Sequence, residues 1–469
     1  MCHLMGSHLS ILVALAICLT LLRTSLADQL APPSAWTAVA VALYLVVAAG
    51  LARAAAQAGV RAAAGQDARP LRRHQRLAQL GPVFLLGGLA GVLWSGYGQW
   101  ISRTAGLGRI PLAEEAAAMA PFLVAMVLGW VAAYPAFRLM KLATIRRQAQ
   151  AGWPVRPPWT LGEYLEYNIR HQLLFVLVPV GLILLVADAL ELYALPHLKA
   201  DWAQQALPVA TAAWAGLVFL LAPLMVARIW RTARLEEGPL RSELEQFCRR
   251  LKVGARDILV WQTGGMIANA AVMGLLARLR YVLISDLLLE QLDRRQVEAV
   301  FAHEATHIAQ HHIFYSLLFA ACSAVLTSAA AGLAGQWLHL GEDAVQIAAL
   351  GLLAAAWALV YGWISRRFER QSDVWAAWAA TSDPRAVAER TITPEGAAVF
   401  AMSLQRIAQL SGLPMHQRNW RHGPIAWRIQ HVLMLGAARA PRAGIDRLVR
   451  RIKLALWAAT ALSAARVLF

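Results

Sequence analysis

Charged residues are scarce in this chain. Asp, Glu, Lys and Arg make up 15% of its 469 residues, against roughly 25% in an average soluble protein. Acidic residues are the scarcest, because 27 Asp and Glu stand against 44 Lys and Arg, giving a net charge of +17. Hydrophobic residues make up 59% of the chain. This balance excludes an ordinary soluble domain and predicts several membrane spans.

Cysteine is also rare, with four residues in the chain. They are Cys2, Cys18, Cys248 and Cys322, and no two of them have a paired spacing. Cys18 and Cys322 fall inside apolar runs, where a thiol behaves as a small hydrophobic group. The sequence therefore predicts neither a disulfide framework nor a zinc site built from cysteines.

The basic segments of the sequence lack the interleaved aromatic residues that are typical of a nucleic-acid-binding surface. Most of the arginines instead lie between apolar runs, where they are typical of the cytoplasmic loops of membrane proteins. We therefore expect a lipid bilayer as a partner and no nucleic acid.

Long apolar runs are what the sequence has in excess. Seven are long enough to span a bilayer, namely residues 36–56, 80–97, 116–137, 173–195, 206–230, 313–333 and 344–364. A shorter run, residues 9–22, is either a first span or a signal peptide with a weak cleavage site at residues 25–27. No Lys or Arg precedes this run, which argues mildly against a signal peptide.

The distribution of arginine predicts the orientation of the spans. Lys and Arg cluster after the runs that end near residues 56, 137 and 230, whereas the loops between these clusters carry balanced or acidic charge. The link between the last two spans holds Glu342 and Asp343 and no basic residue. By the positive-inside rule, residues 231–312 and the chain after residue 364 lie in the cytoplasm.

One short segment carries the chemistry. In residues 301–307, His303, Glu304 and His307 form the pattern His-Glu-x-x-His. On a helix the two histidines share one face, so they can bind one metal ion together. Zinc is expected, one ion per chain, because catalytic zinc takes three N or O ligands and leaves one position for water. Glu304 is the expected general base for that water.

The residues around this pattern predict a helix. Asp293 followed by Gln296 is typical of a capping box at a helix start. An apolar stripe at helical spacing then follows, made of Val297, Val300, Phe301, Ala305 and Ile308. We assign His311 and His312 to the solvated or interfacial end of the helix.

A third metal ligand is needed, and the two spans at 313–364 return the chain to the same side just before Glu369. Glu369 and Asp373 are spaced i,i+4 on a predicted helix. One interpretation makes Glu369 the third ligand and Asp373 the acceptor of a hydrogen bond from a ligand imidazole. The alternative is an ordinary charged helix whose acids pair with neighbouring arginines. Taken alone, Glu369 and Asp373 favour the ordinary charged helix. The His-Glu-x-x-His motif upstream reverses this preference and favours the metal-ligand interpretation.

Residues 258–429 resemble, with gaps, the membrane-embedded zinc endopeptidases that include the bacterial heat-shock protease HtpX and the type I CAAX prenyl endopeptidases. The residues that carry the resemblance are Asn269-Ala270 with Gly274, the segment 281–288, the His-Glu-x-x-His motif followed by two spans, Glu369 with Asp373, and His422-Gly423-Pro424 with Arg428-Ile429. Two positions depart from the pattern, since the family usually has Ala at Ser372 and often has Pro at Gly423.

The resemblance implies a role for each matching residue. It implies that His303, His307 and Glu369 bind zinc and that Glu304 is the general base. Asn269 and Ala270 would lie on an edge strand that binds the substrate backbone. His422 and Arg428 would belong to the catalytic set, holding or polarising the substrate.

The predicted fold is a mainly α membrane protein with about 7–8 transmembrane helices and a cytoplasmic, gluzincin-like α+β zinc peptidase domain that a transmembrane hairpin splits. Residues 1–230 form an N-terminal membrane region with five or six spans. The peptidase parts are 231–312 and 365–452, the hairpin is 313–364, and 453–469 is an interfacial segment. Strands are predicted at 258–262, 267–272 and 281–285, and a helix at 241–253.

The predicted function is that of a multi-pass metalloendopeptidase of the bacterial inner membrane, which cuts membrane-associated proteins or peptides at the cytoplasmic face. The resemblance implies quality control of damaged membrane proteins, and processing of a lipidated or signal-derived peptide is the alternative. A transporter with an incidental metal site would need charges buried in mid-span, and the long runs carry almost none. An inactive scaffold would lack a ligand or the base, and all four key residues are present.

Overall fold

The chain folds into two compact units. The computed structural model describes residues 2–23, 25–64, 68–104, 106–150, 152–197, 201–251, 253–417 and 420–468. The units are Met1–Trp230 and Arg231–Phe469. In the described part of the chain, seven helices are long and apolar enough to cross a membrane. The chain is therefore a multi-pass membrane protein, and the predicted seven long spans are confirmed.

The N-terminal unit consists of helices, as expected of a membrane region whose backbone must satisfy its own hydrogen bonds. Its α-helices are α1 (Cys2–Arg23), α2 (Ala35–Ala64), α3 (Ala68–Val92), α4 (Ala113–Gln150), α5 (Leu161–Asn168), α6 (Phe175–Ala189) and α7 (Asp201–Ile229). Wider π-helical turns occur at Leu93–Tyr97, Trp100–Thr104, Ile169–Leu174 and Leu190–Ala194, and 3₁₀ turns at Ser25–Gln29, Leu107–Arg109 and Leu195–His197.

Helix α1 packs into the core of this unit. Its residues Ile11 and Cys18 are fully buried, in one apolar cluster with Leu89 of α3 and Phe122 of α4. At its C-terminal end Arg23 pairs with Glu115 and Asp188. The apolar part of α1, residues 8–23, is shorter than the seven spans. The choice between a first span and a signal peptide for this run stays a prediction.

In its described residues the C-terminal unit contains the sheet and ten α-helices. Its strands are β1 (Thr232–Arg234), β2 (Asp257–Trp261), β3 (Ala270–Met273) and β4 (Tyr281–Ser285). Its α-helices are α8 (Pro239–Arg250), α9 (Asp286–Gln291), α10 (Arg294–Ala309), α11 (His312–Leu338), α12 (Glu342–Ala355), α13 (Gly362–Ala379), α14 (Pro384–Glu389), α15 (Pro394–Ser411), α16 (Ile425–Ala437) and α17 (Ala443–Leu468). A π-helical turn at Ala356–Tyr361 joins α12 to α13, and a 3₁₀ turn lies at Ala277–Leu279.

The four strands form one mixed sheet in the order β1-β2-β4-β3. Strands β2 and β4 are parallel, and β1 and β3 pair with them in antiparallel fashion at the two edges. The prediction for β4 is confirmed, and β2 begins and ends one residue earlier than predicted. The strand predicted at 267–272 is Ala270–Met273 in the structure, so it begins three residues later and ends one residue later than predicted.

A helical hairpin separates the two parts of the C-terminal unit. Helix α11 ends near His339, and α12 begins at Glu342. The two helices approach closely at their turn, since a Cβ on Gly335 would lie 2.3 Å from the Val345 side chain. The helix that starts as α12 continues without interruption to Ala379, so it carries Glu369 and Asp373 away from the hairpin.

The C-terminal helix α17 does not end at the predicted division between residues 452 and 453. It is continuous over Ala443–Leu468, and Ile452 and Leu456 lie in one buried cluster with Phe319 and Phe368. The periodic apolar residues of α17 thus pack on α11 and α13. Phe469 lies outside the described residues, and the interfacial position of residues 453–469 stays a prediction.

Candidate metal centre and active site

Helix α10 positions three of the predicted site residues. It starts at the predicted capping box, in which the Asp293 carboxylate accepts the Gln296 N–H at 2.9 Å and the Gln296 side chain accepts the Asp293 N–H at 3.2 Å. Val297, Phe301 and Ala305 are buried on its apolar face. The helix is thereby fixed in rotation, and this rotation determines where His303 and His307 point.

His303, His307 and Glu369 converge on one point. The Nε2 atoms of the two histidines lie 3.3 Å apart. The Glu369 carboxylate oxygens lie 3.6 Å from His303 Nε2 and 3.8 Å from His307 Nε2. One ligand atom from each residue falls within 4.8 Å of the others, so the group can hold a metal ion. Two imidazoles and one carboxylate form a donor set that suits catalytic zinc.

The protonation of the two histidines differs. Burial lowers the pKa of His307 to about 3, so its imidazole is neutral and one ring nitrogen keeps a lone pair for a metal. Burial also disfavours the cation of His303, but Asp373 and Glu369 outweigh it and raise the pKa of His303 to about 9. A metal ion that binds His303 must therefore displace a proton.

Asp373 lies behind His303, one helical turn after Glu369. Its Oδ1 is 3.0 Å from His303 Nδ1, the nitrogen that faces away from the convergence point. Arg428 of α16 binds the same carboxylate with Nε at 2.9 Å and Nη2 at 2.5 Å. Arg428 Nη2 also lies 3.5 Å from Glu369 Oε2. The His303 Nδ1–Asp373 Oδ1 pair is close but does not have hydrogen-bond geometry, so the role of Asp373 as the acceptor of a ligand imidazole stays a prediction.

Glu304 is half-buried beside the converging ligands. Burial raises the pKa of Glu304 to about 7, and the negative charge of Glu369 also raises it. The positive charges of His303 and Arg428 act in the opposite direction and lower it. A carboxyl group with a pKa near the working pH is well suited to taking up and returning a proton. A divalent cation nearby would lower this pKa.

His422 reaches the same group from a loop. Its Nδ1 lies 2.9 Å from Glu369 Oε1. The next residue, Gly423, has a φ of +75°, which proline cannot adopt. The turn that carries His422 thus excludes proline at position 423. His422 is brought to the site, as Arg428 is, while the substrate-holding roles of both stay predictions.

Asn269 and Ala270 lie at the edge of the sheet. Strand β3 is the last strand in the order, so one of its edges has no strand partner among the described residues. The Asn269 carbonyl accepts the Ser285 N–H at 2.9 Å, and the Asn269 N–H donates to the Ser285 hydroxyl at 3.0 Å. This position agrees with an edge that could accept an extended peptide, which stays a prediction.

The prediction that His312 is solvated or interfacial is wrong. His311 adopts a left-handed conformation with φ of +53° and is exposed, and this single residue breaks the helix between α10 and α11. The break turns His312 inwards, where its relative exposure is 2% and its ring stacks on Phe368 at 4.2 Å between centroids. Its Nδ1 lies 3.0 Å from His307 Nδ1. Helical spacing alone could not reveal this contact, because it depends on the break at His311.

A cavity of about 270 Å³ opens beside the site. His307 and Glu369 form part of its wall, and most of the remaining wall comes from apolar and aromatic residues of the hairpin and α13, among them Leu317, Trp357 and Phe368. Arg421 also lines it. A ligand in this cavity would contact apolar side chains and the metal-binding group together.

Comparison with known proteins bears on the fold and on the family that the C-terminal unit resembles. Residues 234–434 match the family model described as Peptidase family M48. The crystal structure of Ste24p from S. mikatae superimposes with a TM-score of 0.51 at 13% sequence identity, covering 86% of this chain and 100% of that chain. No curated protein matches the sequence. The matched region contains all of the predicted site residues. The chain is a multi-pass membrane protein, and its residues 234–434 are similar to peptidase family M48.

Proposed function

We propose that the protein is a zinc-dependent endopeptidase that hydrolyses peptide bonds at the cytoplasmic face of the membrane. The observation that carries the proposal is the convergence of His303, His307 and Glu369 next to the half-buried Glu304. Incidental histidines on a structural helix have no reason to converge on a carboxylate from another helix.

His303, His307 and Glu369 would hold the zinc ion. When bound, zinc supplies a Lewis acid that polarises the scissile carbonyl and makes water more acidic. Asp373 orients the His303 ring through Nδ1, and Arg428 holds the Asp373 carboxylate in place. Such partners keep the ligand atoms directed at one point.

Glu304 is the general base in this proposal. It takes a proton from the water molecule whose oxygen attacks the carbonyl carbon, and it delivers this proton to the nitrogen of the leaving amine as the C–N bond breaks. His422 lies on the side of Glu369, where it can donate a hydrogen bond to the substrate carbonyl oxygen as negative charge develops there. Arg428 adds positive charge to the same region.

The surroundings of the site support a membrane-associated substrate. The free edge of β3 can bind an extended peptide backbone, and the cavity beside His307 offers apolar walls on helices long enough to span a bilayer. An apolar peptide segment that leaves the bilayer would fit these surfaces. Quality control of membrane proteins is the role that such a substrate class favours.

Zinc content and proteolysis, measured on the purified full chain, test the proposal. Wild-type protein should retain about one zinc per chain after loosely bound ions are removed, and it should cleave a destabilised model membrane protein. Glu304→Gln should keep the zinc and lose about 10²–10⁴-fold in cleavage rate, because it removes a base and no ligand. Glu298→Gln, on the same helix but away from the ligands, is the matched control and should behave as wild type.

Two results would contradict the proposal. Zinc content near zero that does not change in Glu369→Ala would remove the metal site. Full cleavage by Glu304→Gln would remove the general base. A third comparison separates the substrate classes: cleavage of a lipidated peptide, with no cleavage of its unlipidated form or of the model membrane protein, would favour processing over quality control.

A further inference from the structure

The second ring nitrogen of His307 begins a hydrogen-bonded chain that leads away from the metal-binding group. His307 Nδ1 lies 3.0 Å from His312 Nδ1, and His312 Nε2 lies 2.9 Å from the Gln371 side-chain oxygen. The Gln371 side-chain nitrogen lies 2.6 Å from Asp446 Oδ1. Four side chains from α10, α11, α13 and α17 are thus joined in series.

The middle of this chain is buried. His312 and Gln371 are 2% and 1% exposed. The His312 ring is parallel to Phe368, with 5° between the ring planes. Asp446 is fixed by a further hydrogen bond from Trp375 Nε1 at 2.9 Å. The hydrogen bond between His312 and Gln371 is therefore made between two buried side chains.

The direction of each hydrogen bond follows from Asp446. An ionised carboxylate only accepts, so the Gln371 amide must present its NH₂ group to Asp446. The other end of the amide, the carbonyl oxygen, then faces His312 Nε2. Because this oxygen also only accepts, His312 must carry its proton on Nε2 and leave Nδ1 as an acceptor.

This assignment determines the state of His307. Its Nδ1 faces an acceptor nitrogen, so Nδ1 must carry the proton of the neutral imidazole. Nε2 is then left with a lone pair, and Nε2 is the atom that points at Glu369 and at His303 Nε2. The series of bonds from Asp446 thus selects the one neutral form of His307 that can bind a metal through Nε2.

We propose that His312, Gln371 and Asp446 are positioning residues that fix the His307 ring and its proton for metal binding. The inference rests on the proposed zinc site. In this inference the two histidine ligands are supported differently. His303 faces the Asp373 carboxylate directly, whereas His307 is linked to the Asp446 carboxylate through His312 and Gln371. Asp446 lies beyond the residues that match the M48 family model, so α17 contributes to the site from outside that region.

Replacements at His312 separate positioning from packing. His312→Leu fills the space but cannot accept the His307 proton, whereas His312→Asn can place its side-chain oxygen near the position of Nδ1. The zinc dissociation constant should rise about 10–100-fold in His312→Leu, and His312→Asn should recover most of this loss. His311→Asn is the matched control, because His311 is exposed and asparagine tolerates its left-handed backbone.

Asp446→Leu tests the far end of the chain. Leucine offers no acceptor to the Gln371 NH₂ group, so the side chain at this position no longer dictates the orientation of Gln371. The zinc dissociation constant should rise, by less than in His312→Leu. All dissociation constants are measured by competition with a chelator of known affinity, together with melting temperatures of the zinc-free proteins.

The outcomes distinguish this inference from the proposed function. If wild type binds no zinc, the zinc site fails. If wild type binds zinc and His312→Leu binds it equally well, only the positioning role fails. Equal loss of affinity in His312→Leu and His312→Asn, in step with equal losses of melting temperature, would show that His312 acts through packing alone and would overturn the inference.

Discussion

Arg428 binds Asp373 with two hydrogen bonds, one from Nε and one from Nη2. This arrangement directs Asp373 Oδ1 towards His303 Nδ1 at 3.0 Å. Burial disfavours a charged Arg428, but the neighbouring Asp373 and Glu369 outweigh it and raise the pKa of Arg428. The guanidinium is therefore a permanent positive charge beside two carboxylates, and it fixes the Asp373 carboxylate beside His303.

Asp373→Asn should weaken the site without abolishing it. The amide keeps the shape of the carboxylate but loses its charge and one of its bonds to Arg428. We expect kcat/KM to fall about 10–100-fold, the range typical for partners of metal ligands. Steady-state cleavage assays measure this. Asp383→Asn is the matched control, since asparagine caps α14 as well as aspartate does. An unchanged kcat/KM would contradict the role given to Asp373.

Gly423→Pro should strongly reduce activity. The φ of +75° at Gly423 is outside the range of proline, so the turn would have to change and would move His422 away from Glu369. We expect a loss of at least about 10-fold in kcat/KM. Gly423→Asn, which tolerates a left-handed backbone, should retain most of the activity. Equal activities of the two variants would show that the turn is not what places His422.

The orientation of the membrane spans can be tested with reporter fusions. A reporter fused after Arg234 should behave as cytoplasmic, and one inserted at Gly341, in the turn of the hairpin, should behave as exterior. Both positions are exposed, so a fusion should not disturb buried contacts. The reverse pattern would place the metal-binding group on the other side of the membrane.

Arg23→Met should destabilise the N-terminal unit. The change leaves the buried Glu115 and Asp188 without their cation. Removing one partner of a fully buried ion pair lowers the free energy of unfolding by about 3–5 kcal/mol. We expect a smaller loss here because 37% of the Arg23 side chain is exposed to solvent. A lower melting temperature in detergent would show it. Arg103→Met is the control, because Arg103 pairs with Asp28 where both side chains are exposed, and it should melt as wild type does.

The sequence predicts well the features that depend on the spacing of nearby residues. Hydrophobic runs locate the seven spans, and the i,i+4 pairs His303/His307 and Glu369/Asp373 each place two side chains on one helical face. The capping box at Asp293 is equally local. Each of these depends on fewer than two helical turns or on composition alone, so tertiary structure has little opportunity to override it.

The features that sequence missed depend on distant contacts or on a single backbone angle. Asp188 pairs with Arg23 across 165 positions, which no local pattern predicts. His312 is buried because His311 adopts a positive φ. Strand β1, Thr232–Arg234, is short and carries a charged residue, so it lacks the alternation of a strand and forms only by pairing with β2.

The π-helical turn at Ala356–Tyr361 has a consequence for comparing this chain with its relatives. Such a turn corresponds to one residue inserted into an α-helix, which shifts everything after it by about 100° around the helix axis. Here it lies between the hairpin and Glu369. A relative with an unbroken α-helix in this place would need one residue fewer to present its glutamate on the same side. Alignments across this helix should therefore carry a one-residue gap before the glutamate, and forcing the segments into a gapless match would pair the wrong positions.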